Sequence, residues 1–175
     1  MNLTKIFLLL SVFITGACVL VIEIVATRIL SPYFGNTIFT YSSVITVILA
    51  ALSFGYYFGG KLADRLPSLK LFYGIILAGG LTVFILQLII IFILPFLSPY
   101  FSLIVGPLIL SFILFFTPAL ILGTLSPFVI KLLENILPTE GIGSISGLVF
   151  FWSTVGSIFG SLFSGFYLIP NFGIN

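Results

Sequence analysis

The chain has 175 residues, of which 61% are hydrophobic and only 6% are charged, and its formal net charge at pH 7 is +2. In an average soluble domain about 25% of the residues are charged. So few polar residues cannot cover the apolar surface of a chain folded in water, which predicts that this chain folds in a lipid bilayer. The sequence has no basic tract suited to nucleic acid, so we expect none as a partner.

The residue types also limit the chemistry that this chain can carry. It has no histidine and one cysteine, Cys18, which excludes an internal disulfide and the usual metal-binding and acyl-transfer groupings. Its four acidic residues leave little machinery for acid–base catalysis. We therefore expect no catalytic residue, no metal and no cofactor in this chain acting alone.

Five apolar segments predict five membrane-spanning helices in one all-α transmembrane domain. The first is interpreted as a retained helix rather than a signal peptide, because its apolar run continues to about Leu30. Three prolines interrupt the fourth segment, which predicts either a kink or a break into two helices. The predicted helices cover approximately residues 5–30, 37–60, 71–94, 101–135 and 142–169, and residues 31–36 are predicted to form a turn.

The basic residues are distributed unevenly between the two sides of this predicted bundle. With five crossings, Lys5, the predicted loop 61–70 and Lys131 fall on one side, and only Arg28 falls near the other. The positive-inside rule places basic loops in the cytoplasm. We therefore predict a plasma-membrane protein with a cytoplasmic N-terminus, cytoplasmic loops at 61–70 and 131–141, and an external C-terminus.

Small residues recur at every fourth position in two of the segments. Residues four apart lie on the same face of a helix, and small side chains on one face let two membrane helices approach closely. The second and fifth segments are therefore predicted to pack through Ala51, Gly55 and Gly59, and through Gly156 and Gly160 followed by Ser164.

Glu23 is the most unusual polar residue, because a carboxylate inside an apolar helix is costly unless it is paired or faces a cavity. Arg28 follows five residues later, slightly off the spacing of an ideal helical ion pair. One interpretation is a Glu23–Arg28 pair that anchors the helix end. Another is that Glu23 faces a polar cavity and binds a cation or a proton, and a third is contact with a partner chain.

Asp64 and Arg65 lie in the predicted basic loop. Orientation in the membrane accounts for Arg65, but not for Asp64, because acidic residues contribute little to orientation. Asp64 is expected either to cap the following turn or to pair across the bundle with Lys131 or near Glu134.

Gln87 is polar within an otherwise apolar third segment, and an interhelical hydrogen bond is favoured over a ligand contact. The candidate ligand-binding or ion-pair residues are thus Glu23, Arg28, Asp64, Arg65 and Gln87.

Four stretches of the sequence together resemble one protein family. The chain is similar to the membrane domain of the membrane-embedded spermidine synthase-like proteins, in which a major-facilitator-type domain is fused to a spermidine synthase domain. The similarity extends over nearly the whole chain, and it implies a fold resembling part of a major-facilitator-type half. The matching stretches are residues 16–35 with Glu-x-x-x-Thr-Arg, residues 53–65 with Gly-Gly-x-Leu-Ala-Asp-Arg, residues 122–128, and residues 156–170.

The catalytic domain of that family carries a Gly-rich loop after a strand and acidic residues for the amine substrate, and no stretch of this sequence matches either. The resemblance therefore implies a noncatalytic membrane subunit that anchors or regulates a separate synthase-like partner in a polyamine-related system. One alternative is a polyamine-like cation transporter or carrier half working as an oligomer, with Glu23 as the cation site and Asp64–Arg65 as a gate. Another alternative is an accessory subunit of a larger membrane complex.

Overall fold

Five long apolar helices make up most of the computed structural model, which describes residues 3–173. These residues form no strand, so the all-α prediction is confirmed for them, and the five helices fit a membrane protein. The two termini, whose sides of the membrane were predicted, lie outside the described residues. The long helices are α1 (Leu3–Phe34), α2 (Ile38–Arg65), α3 (Leu69–Phe92), α5 (Gly106–Ile136) and α6 (Ile142–Phe163).

Short helical pieces complete the described chain. Between α3 and α5 lie α4 (Leu94–Leu97) and a 3₁₀ turn (Ser98–Tyr100). Helix α6 continues through a π-helical turn (Ser164–Leu168) into α7 (Ile169–Phe172), so that the apolar segment is helical from Ile142 to Phe172.

The helices pack as two parallel pairs, α2 with α5 and α1 with α6. Helix α2 makes its most extensive contact with α5, and α1 makes its most extensive contact with α6. Helix α5 also contacts α1, α3 and α6, and it is the most buried of the five. Helix α3 lies at the periphery, where it packs mainly on α5.

The buried core forms two clusters, one toward each end of the bundle. The first surrounds Leu30, Ile48 and Phe115 at the end of the bundle where α1 finishes. The second surrounds Phe72 and Phe128 at the opposite end, where α1 begins. Phe72 and Phe128 are in ring contact, with centroids 6.0 Å apart, which fixes α3 against α5.

The first helix is longer than predicted. It was expected to end near residue 30, before a turn containing Pro32, but it continues through Pro32 to Phe34. It ends instead at Gly35, whose φ of 78° is in the left-handed region and whose N–H donates to Ser31 O over 2.8 Å. This is the common way for a glycine to terminate a helix.

The predicted loop 61–70 is also mostly helical. Helix α2 continues to Arg65 and α3 begins at Leu69, so only residues 66–68 connect them. Pro67 lies in this connection and cannot donate a backbone hydrogen bond, which explains why the chain turns there.

The fourth apolar segment is one helix rather than two. Pro118 and Pro127 both lie inside α5, and helical hydrogen bonding resumes after each of them. The helix begins at Gly106 instead of residue 101, because Ser98–Tyr100 form a 3₁₀ turn and residues 103–105 form a second turn.

The glycines of the two predicted packing faces lie against neighbouring backbone. A Cβ atom added at Gly59 would lie 2.6 Å from Thr124 Cα on α5, and one added at Gly55 would meet the carbonyl oxygen of Leu120. On α6, a Cβ atom at Gly160 would lie 2.7 Å from Ala17 Cα of α1, and one at Gly156 would meet the carbonyl of Phe13. Ala51 is fully buried in the same face of α2.

Candidate functional site

Three of the four acidic residues form ion pairs at the same end of the bundle. Lys131 Nζ lies 2.8 Å from Glu134 Oε2 and 3.9 Å from Asp64 Oδ1. Lys5 Nζ lies 3.5 Å from Glu140 Oε1. These contacts join the end of α2 to the end of α5, and the start of α1 to the connection before α6.

Of the two roles considered for Asp64, the structure therefore shows the pairing across the bundle. Arg65, its neighbour, is exposed at the last position of α2. It pairs with no acidic side chain among residues 3–173.

Glu23 is the one acidic residue without an ionic partner within the described chain. Its side chain is half-buried on α1, and Arg28 is exposed one and a half turns further along the same helix. Glu23 and Arg28 do not form an ion pair. Arg28 instead lines a recess at the end of the bundle, together with residues of α1, α3, α4 and the segment after α6, among them Tyr33, Ile90, Leu94 and Ile169.

A cavity of about 200 Å³ lies where α1, α2, α5 and α6 meet, between the two core clusters. Each of the four helices contributes at least one hydroxyl-bearing side chain to its wall. Ser157 Oγ donates to Gly16 O over 3.0 Å, and Thr15 Oγ1 donates to Val12 O over 3.1 Å. The hydroxyl-bearing residues are Thr15, Tyr56, Ser126, Ser153, Thr154 and Ser157.

Glu23 is not among the residues that line this cavity, but it lies about one turn of α1 beyond two of them. Val19 and Leu20 line the cavity, and Glu23 follows them by four and three residues. Residues at these spacings are neighbours on one side of a helix. The cavity and Glu23 together offer hydroxyl oxygens and one carboxylate, which are suitable acceptors for an ammonium group.

The cavity residues were not predicted from the sequence as a site. Single serines and threonines are common in membrane helices and bond to carbonyls of their own helix, so each looks unremarkable alone. Ser153, Thr154 and Ser157 repeat at helical spacing, and this cluster was the available signal. This cluster alone does not indicate a cavity, because the cavity wall also includes hydroxyl-bearing residues of three other helices.

The predicted interhelical hydrogen bond of Gln87 stays a prediction, because the described residues supply no partner for it. The Gln87 side chain is exposed on α3 and forms no side-chain hydrogen bond to another helix among residues 3–173. Helix α3 packs mainly on α5 through Phe72, Gly79 and Leu86, and Gln87 lies next to this contact but outside it.

The chain was compared with known proteins. No family model matches it, and no solved structure matches it. It is similar to polyamine aminopropyltransferase 1 of Streptomyces coelicolor, with 28% identity over 173 residues. The alignment covers 97% of this chain but 30% of that protein, so the chain spans less than a third of the length of this relative. The comparison thus links an apolar five-helix chain distantly to a polyamine aminopropyltransferase.

Proposed function

We propose that this chain is the noncatalytic membrane unit of a polyamine aminopropyltransferase-type system, where it anchors or regulates a synthase-like catalytic partner. The observation that carries the proposal is the similarity to polyamine aminopropyltransferase 1, which extends over 97% of this chain. Because the aligned part of this chain contains its five apolar helices, the similarity supports a shared membrane part more directly than a shared catalytic part.

The exposed surface of the bundle supports an assembly role. At Gly143 and Gly147 of α6, and at Gly74 and Gly80 of α3, an added Cβ would have no atom within 4 Å apart from the neighbouring residues and backbone of its own helix. Helix surfaces with small residues allow close approach of a further helix. These two helices therefore have room for a membrane-embedded part of a partner.

The test is isolation of the tagged chain from its native membranes in a mild detergent. We expect a protein with a synthase-like domain to remain bound in stoichiometric amount, and the isolated complex to transfer aminopropyl groups to a polyamine. The control is an unrelated membrane protein with the same tag. A chain that is isolated alone would contradict the proposal, and a stoichiometric set of other membrane proteins would favour an accessory-subunit role.

A second candidate function, binding or transport of a polyamine-like cation, is favoured by Glu23 and the hydroxyl-lined cavity. Glu23 has no ionic partner among residues 3–173, and it lies one turn from cavity residues of its own helix. A half-buried carboxylate in an apolar helix is stabilised by a cation that it can bind. A linear amine could place one ammonium group at Glu23 and extend its chain into the cavity.

For this second function, we expect Glu23→Gln to lower spermidine uptake into proteoliposomes by about ten-fold or more, because a hydrogen bond to a charged group contributes about 1.5–3 kcal/mol. The matched control is Glu140→Gln, which removes a carboxylate at the far end of the bundle, where it pairs with Lys5. Uptake that is unchanged in the Glu23 variant would exclude this residue from the mechanism.

A further inference from the structure

The outer surface of α2 carries a recess close to the end of the helix. Four residues line it, and its volume is about 330 Å³. They are spaced so that they form one stripe along a single face of α2. The lining residues are Phe58, Lys61, Leu62 and Arg65.

The two cations of this recess have no carboxylate partner in the described part of the chain. The nearest acidic residue in sequence, Asp64, pairs with Lys131 of α5, and the other two acids at this end pair with Lys131 and Lys5. Lys61 Nζ donates to Tyr57 Oη over 2.6 Å and lies 4.3 Å from the centroid of the Tyr57 ring. Tyr57, which does not line the recess, thus holds the ammonium group of Lys61 without neutralising it.

The wall of the recess is almost entirely apolar, so Lys61 and Arg65 line it mainly through the aliphatic parts of their side chains. Phe54 and Phe58 stack with centroids 6.4 Å apart on the exposed surface of α2, and both precede the cations. Lys61 is the first charged residue of α2, and Arg65 is its last residue. This order places the cations at the level where an apolar helix leaves the hydrocarbon and meets the lipid headgroups.

We propose that this recess binds an anionic phospholipid, with the phosphate between Lys61 and Arg65 and an acyl chain along Phe54 and Phe58. An acidic protein surface would also match the two positive charges. It would not account for the exposed aromatic surface that continues from the recess along α2, which is the part of the helix expected to contact acyl chains.

The test is native mass spectrometry of the full chain in detergent, with equimolar phosphatidylglycerol and phosphatidylcholine that carry the same acyl chains. We expect the intact chain to retain phosphatidylglycerol preferentially. Lys61→Gln and Arg65→Gln should each lower this preference about five-fold, because the attraction of one basic residue to an anionic membrane surface corresponds to about this factor. The double variant should abolish the preference.

Two further variants separate a defined site from general positive charge. Lys70→Gln removes a cation at the same end but outside the recess, and it should keep the preference, as should Arg65→Lys. An equal loss in Lys70→Gln and Arg65→Gln would overturn the proposal in favour of a diffuse surface charge. The absence of any preference in the intact chain would also overturn it. Both recess cations are exposed, so their replacement leaves the buried core in place.

Discussion

Replacement of Gly156 by alanine is expected to lower the stability of the bundle, whereas the same replacement at Gly147 of the same helix is not. A Cβ atom at Gly156 would meet the backbone carbonyl of Phe13, so α1 and α6 would have to move apart. At Gly147 the space within 4 Å is open. Overpacking of this kind costs about 1–3 kcal/mol, while alanine in place of an unconstrained helical glycine gains up to about 1 kcal/mol.

The measurement is unfolding of the purified chain by a denaturing detergent, followed by the fluorescence of Trp152. This is the only tryptophan of the chain, and it lies on α6 with its ring centroid 6.4 Å from that of Phe13 on α1. Its emission therefore reports directly on separation of these two helices. Gly156→Leu should be more destabilising than Gly156→Ala. Equal effects of alanine at positions 156 and 147 would contradict this account of the helix contact.

Cysteines placed at the two ends of the bundle are expected to react from opposite sides of the membrane. Five of the six basic residues lie at the end that includes the 66–68 connection, and Arg28 lies toward the other end. The positive-inside rule predicts that the first end is cytoplasmic. In a Cys18→Ala background, a cysteine at Ser102 should therefore react with an impermeant maleimide in intact cells. A cysteine at Ser68 should react only after the membrane is opened.

Both positions are exposed in connections between helices, so access to the reagent is limited by the membrane and not by burial. The charge argument is tested by replacing Lys61, Arg65 and Lys70 with glutamine, which should produce a mixed population of orientations. Arg28→Gln is the control, because it removes a cation from the opposite end and should preserve the orientation. Labelling of Ser68→Cys in intact cells would show that the predicted orientation is reversed.

The sequence alone predicted the class of fold because that information lies in composition and linear order. Long apolar runs separated by prolines, glycines and charges indicate membrane helices without any knowledge of their contacts. The helix ends were less accurate. The structure extends α1 through Pro32 and α2 through Arg65, since a proline near a helix end or a charge at the membrane surface does not by itself terminate a helix.

Only the tertiary structure decided which residues meet. Gly156 and Gly147 are alike in sequence, but Gly156 faces α1 and Gly147 faces open space. Asp64 and Glu134 share Lys131 because the ends of α2 and α5 lie together. The hydroxyl-lined cavity combines four helices, and its bond between Ser157 and Gly16 joins residues 141 positions apart. Periodicity identifies the faces of one helix, but the pairing of faces depends on packing between helices that are distant in the chain.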